Sequence, residues 1–430
     1  MRPWQKYDLK SVIQELNFPE NLMPIIGDGW QQSMDAACDD IPEFLCPEQY
    51  TLARQACSID AQVDEALHQT AKLITASPAL TALAWHAYYQ NFMSNTMVFK
   101  DWPRFNQQLG DALAGMFYLI VGLGHVPLTQ AKHQQLGIEP QVTHETLLEL
   151  KGFNQNHQLA HGGHPGVLQS QFRWLSDYPK GRLFRLGRLE FCLEPLPCEY
   201  QVFEHRQTKH KLLLAPDAVR YDGQGYVDGI HAQFDQAHGW TSKLVFDQDH
   251  VTGHPIHPNG HAIANPITLN LTDWQCVLKP GDMVLNMHIP PGGGMSLPNC
   301  LSSFKQAQTF FPKHFPDELP KAIVCQSWIL NPAFDTALPD SNMAKLLREL
   351  YLYPIPTSGR SGLNFVFLKE EDEMDPATLP RDSSLQRYMV DCLENGHPLR
   401  GSGMMLFFDD LPNFGNQTYR KQWEQNPLVK

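Results

Sequence analysis

The sequence predicts an α+β protein, an all-helical domain over residues 1–179 followed by a mixed α/β domain over residues 180–430 with a splayed central sheet. Three observations carry this expectation. As far as Trp174, apolar residues recur at intervals of three and four, the period of a helix face. After Tyr178-Pro-Lys-Gly181 the period changes to two, as in half-buried strands. Between Gly281 and Leu350 the order is strand, glycine-rich turn, helix, strand, helix.

In the first domain, the periodic stretch 60–92 is interrupted at Ser77-Pro78, which marks a helix end and a new start. Further helices are expected over 102–124 and 143–151, with connections at Pro127, Pro140 and 154–161. The most apolar run, 112–124, is shorter than the roughly 20 residues a membrane-spanning helix needs, so a buried helix is expected. In the second domain, 183–193 and 200–204 alternate as strands and 212–214 adds an apolar run. Residues 247–265, dominated by Pro, Gly, Asp and His, read as turns and loop. A strand over 363–369, a helix over 383–393 and a last strand over 403–408 complete the chain, with the acidic run 370–375 as a solvated loop.

Composition narrows the function classes. With 42% apolar and 18% charged residues the 430-residue chain supports a proper core. A net charge of -13 argues against a nucleic-acid scaffold, whose phosphate contacts need a basic surface. The nine cysteines show no CxxC spacing, and Met1-Arg-Pro-Trp-Gln-Lys-Tyr7 lacks the apolar core of a signal peptide. A cytoplasmic protein with reduced thiols and no membrane partner is expected; oligomeric state is left open.

The glycine turn is the centre of the functional reading. Residues 283–290 form an apolar strand that breaks at Pro290-Pro-Gly-Gly-Gly-Met-Ser296. Proline has no amide donor, so Pro290 and Pro291 cannot continue a ladder beyond Ile289, and the strand should splay there. Gly292, Gly293 and Gly294 let the backbone turn tightly and approach a ligand, and Ser296 stands where an N-cap is wanted. Backbone N–H groups gathered at a helix start favour an anion such as a cofactor phosphate. A strand–helix connection that simply needed glycine is the competing reading. Alternation puts Asn286 and His288 on one strand face, and a histidine there suits a general base. A hydrogen-bonded structural histidine is its alternative.

Taken together, several motifs resemble the core of the GNAT superfamily of acyl-CoA-dependent N-acyltransferases. More closely, the chain resembles a bacterial family that pairs a helical N-acyltransferase N-terminal domain with a GNAT-like C-terminal domain. The resemblance is carried by Arg185-Leu-Gly-Arg-Leu-Glu-Phe191, Trp274 with Leu278-Lys-Pro-Gly-Asp282, His288-Ile-Pro290 with its glycines, and Cys325-Gln-Ser-Trp328. Ser341-Asn342 and Ser384-Leu-Gln-Arg387 add to it. The superfamily's pyrophosphate signature is Arg or Gln, two residues, Gly, one residue, then Gly or Ala. With Gly294 as the first glycine, Pro291 occupies the Arg/Gln position and Ser296 the last.

The resemblance implies an acyltransferase that moves an acyl group from acyl-CoA, its co-substrate, to the amine of a small-molecule acceptor. It implies Ile289, Gly292, Gly293, Gly294, Met295 and Ser296 at the CoA site and His288 as base. Asn286 or Ser327 would orient acceptor or water, and Tyr351 and Tyr353, just past the second helix, are the candidates to protonate the thiolate, with a packing role as the alternative. Read as residues, Arg185 and Arg188 are candidates to meet a substrate carboxylate or phosphate, with solvent or an internal acid as the alternative partner, and Trp328 is placed beside the substrate. The alternative is a non-catalytic protein binding an acyl or nucleotide ligand on the same fold. No metal site is expected: His250, His254, His257 and His261 crowd a proline-containing loop without helical i, i+4 pairing. His161-Gly-Gly-His164 resembles an esterase oxyanion loop, but no Gly-x-Ser-x-Gly elbow accompanies it. Cys325 reads as a buried thiol rather than a nucleophile.

Overall fold

The computed structural model describes residues 3–37, 40–94, 99–369 and 374–429; residues 370–373 of the acidic run lie outside them. The chain divides into two compact units, Met1–Arg185 and Leu186–Lys430. The first is helical. Asp64–Ala76 and Pro78–Tyr89 meet at Ser77, whose side chain accepts from the Leu80 N–H and so caps the second helix. Met116–Leu123 is buried along its whole length, as an all-apolar run requires. Among the described residues no helix is long and apolar enough to cross a membrane.

Several helical expectations need correction. The predicted helix over 102–124 is two pieces, Asn106–Leu109 and Met116–Leu123, separated at Gly110, which takes φ 79°. Pro127 sits inside helix His125–Gln135, in its first turn, where its missing N–H costs nothing. The predicted connection over 154–161 belongs to helix Glu149–Ala160.

The second unit is built on a mixed sheet that includes β1 (Leu189–Pro195), β2 (Met283–His288), β3 (Ala322–Ser327), β4 (Tyr351–Pro354) and β5 (Ser402–Phe407), these five in the spatial order β1-β2-β3-β5-β4. Only the β2–β3 pair is parallel among these, and a parallel pair needs a crossover. Helix Leu297–His314 supplies it, burying Cys300, Phe304, Ala307 and Phe311 on one stripe. Phe304 meets Phe191 edge-on at 6.4 Å. Because Phe191 pairs with Met287, this helix covers the sheet face opposite His288.

Smaller antiparallel sheets complete the unit. The predicted loop over 247–265 contains His250–Gly253, Ile256–His257 and His261–Ala262, strands too short for their composition to reveal. The predicted strand over 363–369 is a helical turn, Leu363–Phe367, bounded by Gly362 and Leu368 in the left-handed region. Leu363 and Phe367 both enter a core cluster with Met389 and Val390, so i, i+4 packing overrides the strand preference of Phe-Val-Phe.

Candidate active site

The site is an opening in the sheet. β2 is paired with β1 to its end, His288 opposite Glu190, and β3 with β5 to its end, Ser327 opposite Ser402. Between themselves β2 and β3 pair only at Leu285 with Ile323 and Asn286 with Val324. Each strand therefore keeps its outer partner while the two part from Met287 and Cys325 onward. The sequence places a splay beyond Ile289, at Pro290 and Pro291; the parting begins earlier, at Met287, and it opens at the C-terminal ends of a parallel pair, where α/β sheets take ligands.

Beyond half-buried Ile289 the chain enters the glycine turn. Gly292, Gly293 and Gly294 have φ of 79°, 73° and 61°, a run of left-handed residues that only glycine adopts without strain. A Cβ at Gly292 or Gly294 would meet nothing within 4 Å, so conformation rather than space demands glycine there. Met295 is buried. Ser296 occupies the N-cap position with extended backbone, but its side chain makes no capping bond.

Arg188 comes to this turn from a distant part of the sequence. Gly187 and Arg188 form the turn preceding β1, and the Arg188 N–H donates to Ser303 Oγ on the crossover helix at 2.9 Å. Its Nε–H donates to the Gly294 carbonyl at 2.8 Å. The guanidinium thus lies against the glycine turn, fastened at its backbone and at its side chain.

A polar stripe runs along the sheet face opposite the crossover helix. Asn286 and His288 share it with Glu190 and Glu194 of β1, and Asn286 Nδ2 donates to Glu194 Oε1 at 2.8 Å. Glu190 is buried beside His288. Since Asn286 pairs with Val324, Gln326 lies on this same face, on the splayed half of β3. Gln326 also lines a cavity of about 650 Å³ with Tyr200, Phe246, Glu199 and Asp217. Glu190 falls within the alternating run 183–193, whereas Glu194 lies just beyond it. The cavity has no such local signal, because its lining comes from segments far apart in sequence.

The remaining predicted site residues have identifiable surroundings. Ser327 Oγ accepts from the Ile329 N–H at 3.4 Å, capping the short turn Trp328–Leu330. Trp328 stacks on Phe365 at 6.1 Å and packs over Gly362. Tyr351 is buried in β4; its hydroxyl donates to Ile256 O at 2.7 Å and accepts from the Leu213 N–H at 3.2 Å. Burial pushes that phenol above its usual range. Tyr353 is buried as well, its hydroxyl 3.4 Å from Gln326 Nε2. Arg185 lies within the first unit, where its Nη1 faces Glu149 at 3.9 Å. Burial pushes the Cys325 thiol up to about 12, a poor nucleophile at neutral pH. His257 and His261 stack at 4.7 Å, while His254 packs on Trp240. In the first unit His161 stacks on His157 at 4.2 Å, and the His164 carbonyl accepts from His157 Nδ1.

Comparison with known proteins follows the same division. The family model of a GNAT-like C-terminal domain matches residues 183–405, and that of an N-acyltransferase N-terminal domain matches residues 51–179. No curated protein matches the chain. Among solved structures, an acyltransferase mutant in complex with octanoyl-CoA is similar at 19% identity with a TM-score of 0.63. An acyltransferase in complex with decanoyl-CoA and teicoplanin is similar at 20% identity and 0.61. Each superposition covers 93% of this chain and 99% of the other, and at such identity it establishes the fold. The GNAT-like match alone spans more than half of the residues, and the chain therefore belongs to the family defined by the GNAT-like C-terminal domain, preceded here by an N-acyltransferase N-terminal domain.

Proposed function

We propose that this protein transfers an acyl group from an acyl-CoA thioester to the amine of a small-molecule acceptor, with His288 as the base. The parting of β2 and β3 beside the glycine turn is the observation that carries the reading. A pantetheine-like arm is an extended chain with amides, suited to pairing along a strand edge that has lost its neighbour. The left-handed glycines, the start of helix Leu297–His314 and Arg188 supply donors and positive charge for a diphosphate at the arm's end. The similar acyltransferases in complex with octanoyl-CoA and decanoyl-CoA support an acyl-CoA donor.

In the transfer step the amine nitrogen attacks the thioester carbonyl carbon. A C–N bond forms, the carbonyl reforms as the C–S bond breaks, and the nitrogen's proton passes to His288. The thiolate leaves and takes a proton from the imidazolium or from water. Glu190, opposite His288, is suited to orient the ring, and the splayed backbone is suited to offer an N–H to the developing oxyanion. Asn286 is engaged with Glu194 and serves this face by holding the β1–β2 pair in register. The scattered cysteines without CxxC spacing support a cytoplasmic location with reduced thiols.

The test is thiol release from octanoyl-CoA with an amine panel, for the native chain and for His288→Ala. Loss of a general base is expected to lower kcat by about 10²–10⁴ while leaving acyl-CoA binding intact. A variant that turns over at the native rate would remove His288 from the mechanism. An absence of acyl-CoA binding by the native protein would remove the reading itself.

A further inference from the structure

The cavity beside Gln326 has chemistry that narrows the acceptor. Resting on the acyl-transfer reading, we propose that this cavity receives the acceptor, and that the acceptor is a primary amine carried on an apolar body. Its position comes first. Gln326 belongs to the splayed half of β3 and shares a sheet face with His288, whereas the crossover helix packs on the other face. An acceptor held in the cavity therefore reaches the opening from the side that carries the base.

Size and lining come next. A volume of about 650 Å³ falls inside the ~300–1,000 Å³ of ordinary small-molecule sites. Tyr200 and Phe246 provide aromatic surface, and Phe246 remains 52% exposed, a large apolar group left uncovered beside the cavity. Every charged group of the lining is acidic: Glu199 and Asp217 contribute carboxylates, and among the described residues no Lys, Arg or His lines it. Asp217 Oδ1 accepts from the Leu244 N–H at 3.0 Å, which holds that carboxylate in place.

Charge then selects the ligand. Two exposed carboxylates with no cationic residue in the described lining favour an ammonium group and disfavour carboxylate or phosphate acceptors. The apolar walls fill with the acceptor's body, and the carboxylates hold its amine end. The bound ammonium loses one proton to solvent. As the C–N bond forms it gives its second proton to His288, and the thiolate leaves to be protonated.

The experiment uses the full chain, octanoyl-CoA, and matched sets of tryptamine, tyramine and octylamine with the corresponding alcohols and carboxylates. Calorimetry reads binding, and initial rates read acceptor KM. Amines are expected to bind and to be acylated, with the carboxylates inert. The double variant Glu199→Gln/Asp217→Asn should raise amine KM at least tenfold, and Val219→Trp, which fills the cavity, should do the same. Both should leave the KM for octanoyl-CoA within twofold. Amines acylated with unchanged KM in both variants would overturn the inference while leaving acyl transfer standing. Carboxylates binding as well as amines would also overturn it. Amines that bind, and lose binding in the variants, without any acyl-CoA turnover would keep the cavity assignment and sink the transfer reading.

Discussion

Arg188 offers the sharpest test of the donor site, because its role depends on a part of the donor that takes no part in the chemistry. Its Nε–H is committed to the Gly294 carbonyl, which brings the charged guanidinium against the glycine turn. A charge-assisted hydrogen bond to a phosphate is worth about 1.5–3 kcal/mol, which is about 10- to 150-fold in affinity. Arg188→Ala should weaken CoA by that factor, and more if loss of the bond to Gly294 also loosens the turn. Arg188→Lys keeps the charge but loses the fork, and its affinity should fall between the two. The assay compares octanoyl-CoA with octanoyl-pantetheine, which presents the same thioester without the diphosphate. The expected result is a drop in kcat/KM confined to the CoA donor, with the pantetheine donor within twofold of native. Equal losses on both donors would mean that Arg188 acts on the thioester end or on the fold. No loss on either would remove it from the site.

Three further expectations follow from particular residues. Gly293→Ala puts a side chain at φ 73°, a cost of about 1–2 kcal/mol, and brings its Cβ to 3.1 Å from Arg188 Cδ. Calorimetry should show roughly tenfold weaker CoA binding with little change in Tm, since the turn is exposed; unchanged affinity would mean that the turn is only a connection. Tyr351→Phe removes a buried hydroxyl that satisfies Ile256 O and the Leu213 N–H, so it should cost about 1–3 kcal/mol of stability with kcat unaffected. A collapse of kcat at constant Tm would instead make Tyr351 a participant in proton transfer. The helical unit should lose stability in acid: burial lowers His86 and His133 to about 4 and His125 to about 3. Folded values below the unfolded ~6.5 mean that the unfolded chain takes up protons first, so each histidine costs about 2 kcal/mol between pH 7 and pH 5. A Tm that is the same at both pH values would refute this.

The parts legible in sequence are those that depend on near neighbours. Ser77-Pro78 divides two helices because a capping hydroxyl and a missing N–H act within one turn. Asn286 and His288 share a face because strand alternation is a backbone property, whereas the sheet already opens at Met287, ahead of the prolines that lead the sequence to expect a splay. Failures occur where a distant contact decides. The alternating run 183–193 is interrupted at Gly187 and Arg188, and the structure uses that interruption to reach Ser303 on another element. Leu363–Phe367 takes its conformation from the cluster it enters rather than from its own strand preference. The short strands within 250–262 gain their pairing from partners their composition does not announce.

The missing member of the pyrophosphate signature illustrates the same physics at the site. A signature records a contact as a fixed spacing along the chain, whereas a ligand responds only to where a donor lies in space. Pro291, at the position of the usual Arg or Gln, offers neither a side-chain donor nor an N–H. Three successive glycines also leave the turn with more backbone freedom to lose on binding than any other sequence would. On the proposed donor reading, Arg188 would answer both needs from 106 residues away. Its main chain is tied to Ser303 at the helix and its side chain to Gly294 in the turn, so one residue brings a guanidinium to the turn and restrains the segment that must donate beside it. A basic residue within the turn would supply the charge but would share the turn's mobility. One anchored by the neighbouring strand and helix would supply charge and preorganisation together, so on the proposed donor reading a basic residue at position 291 is dispensable as long as Arg188 is present.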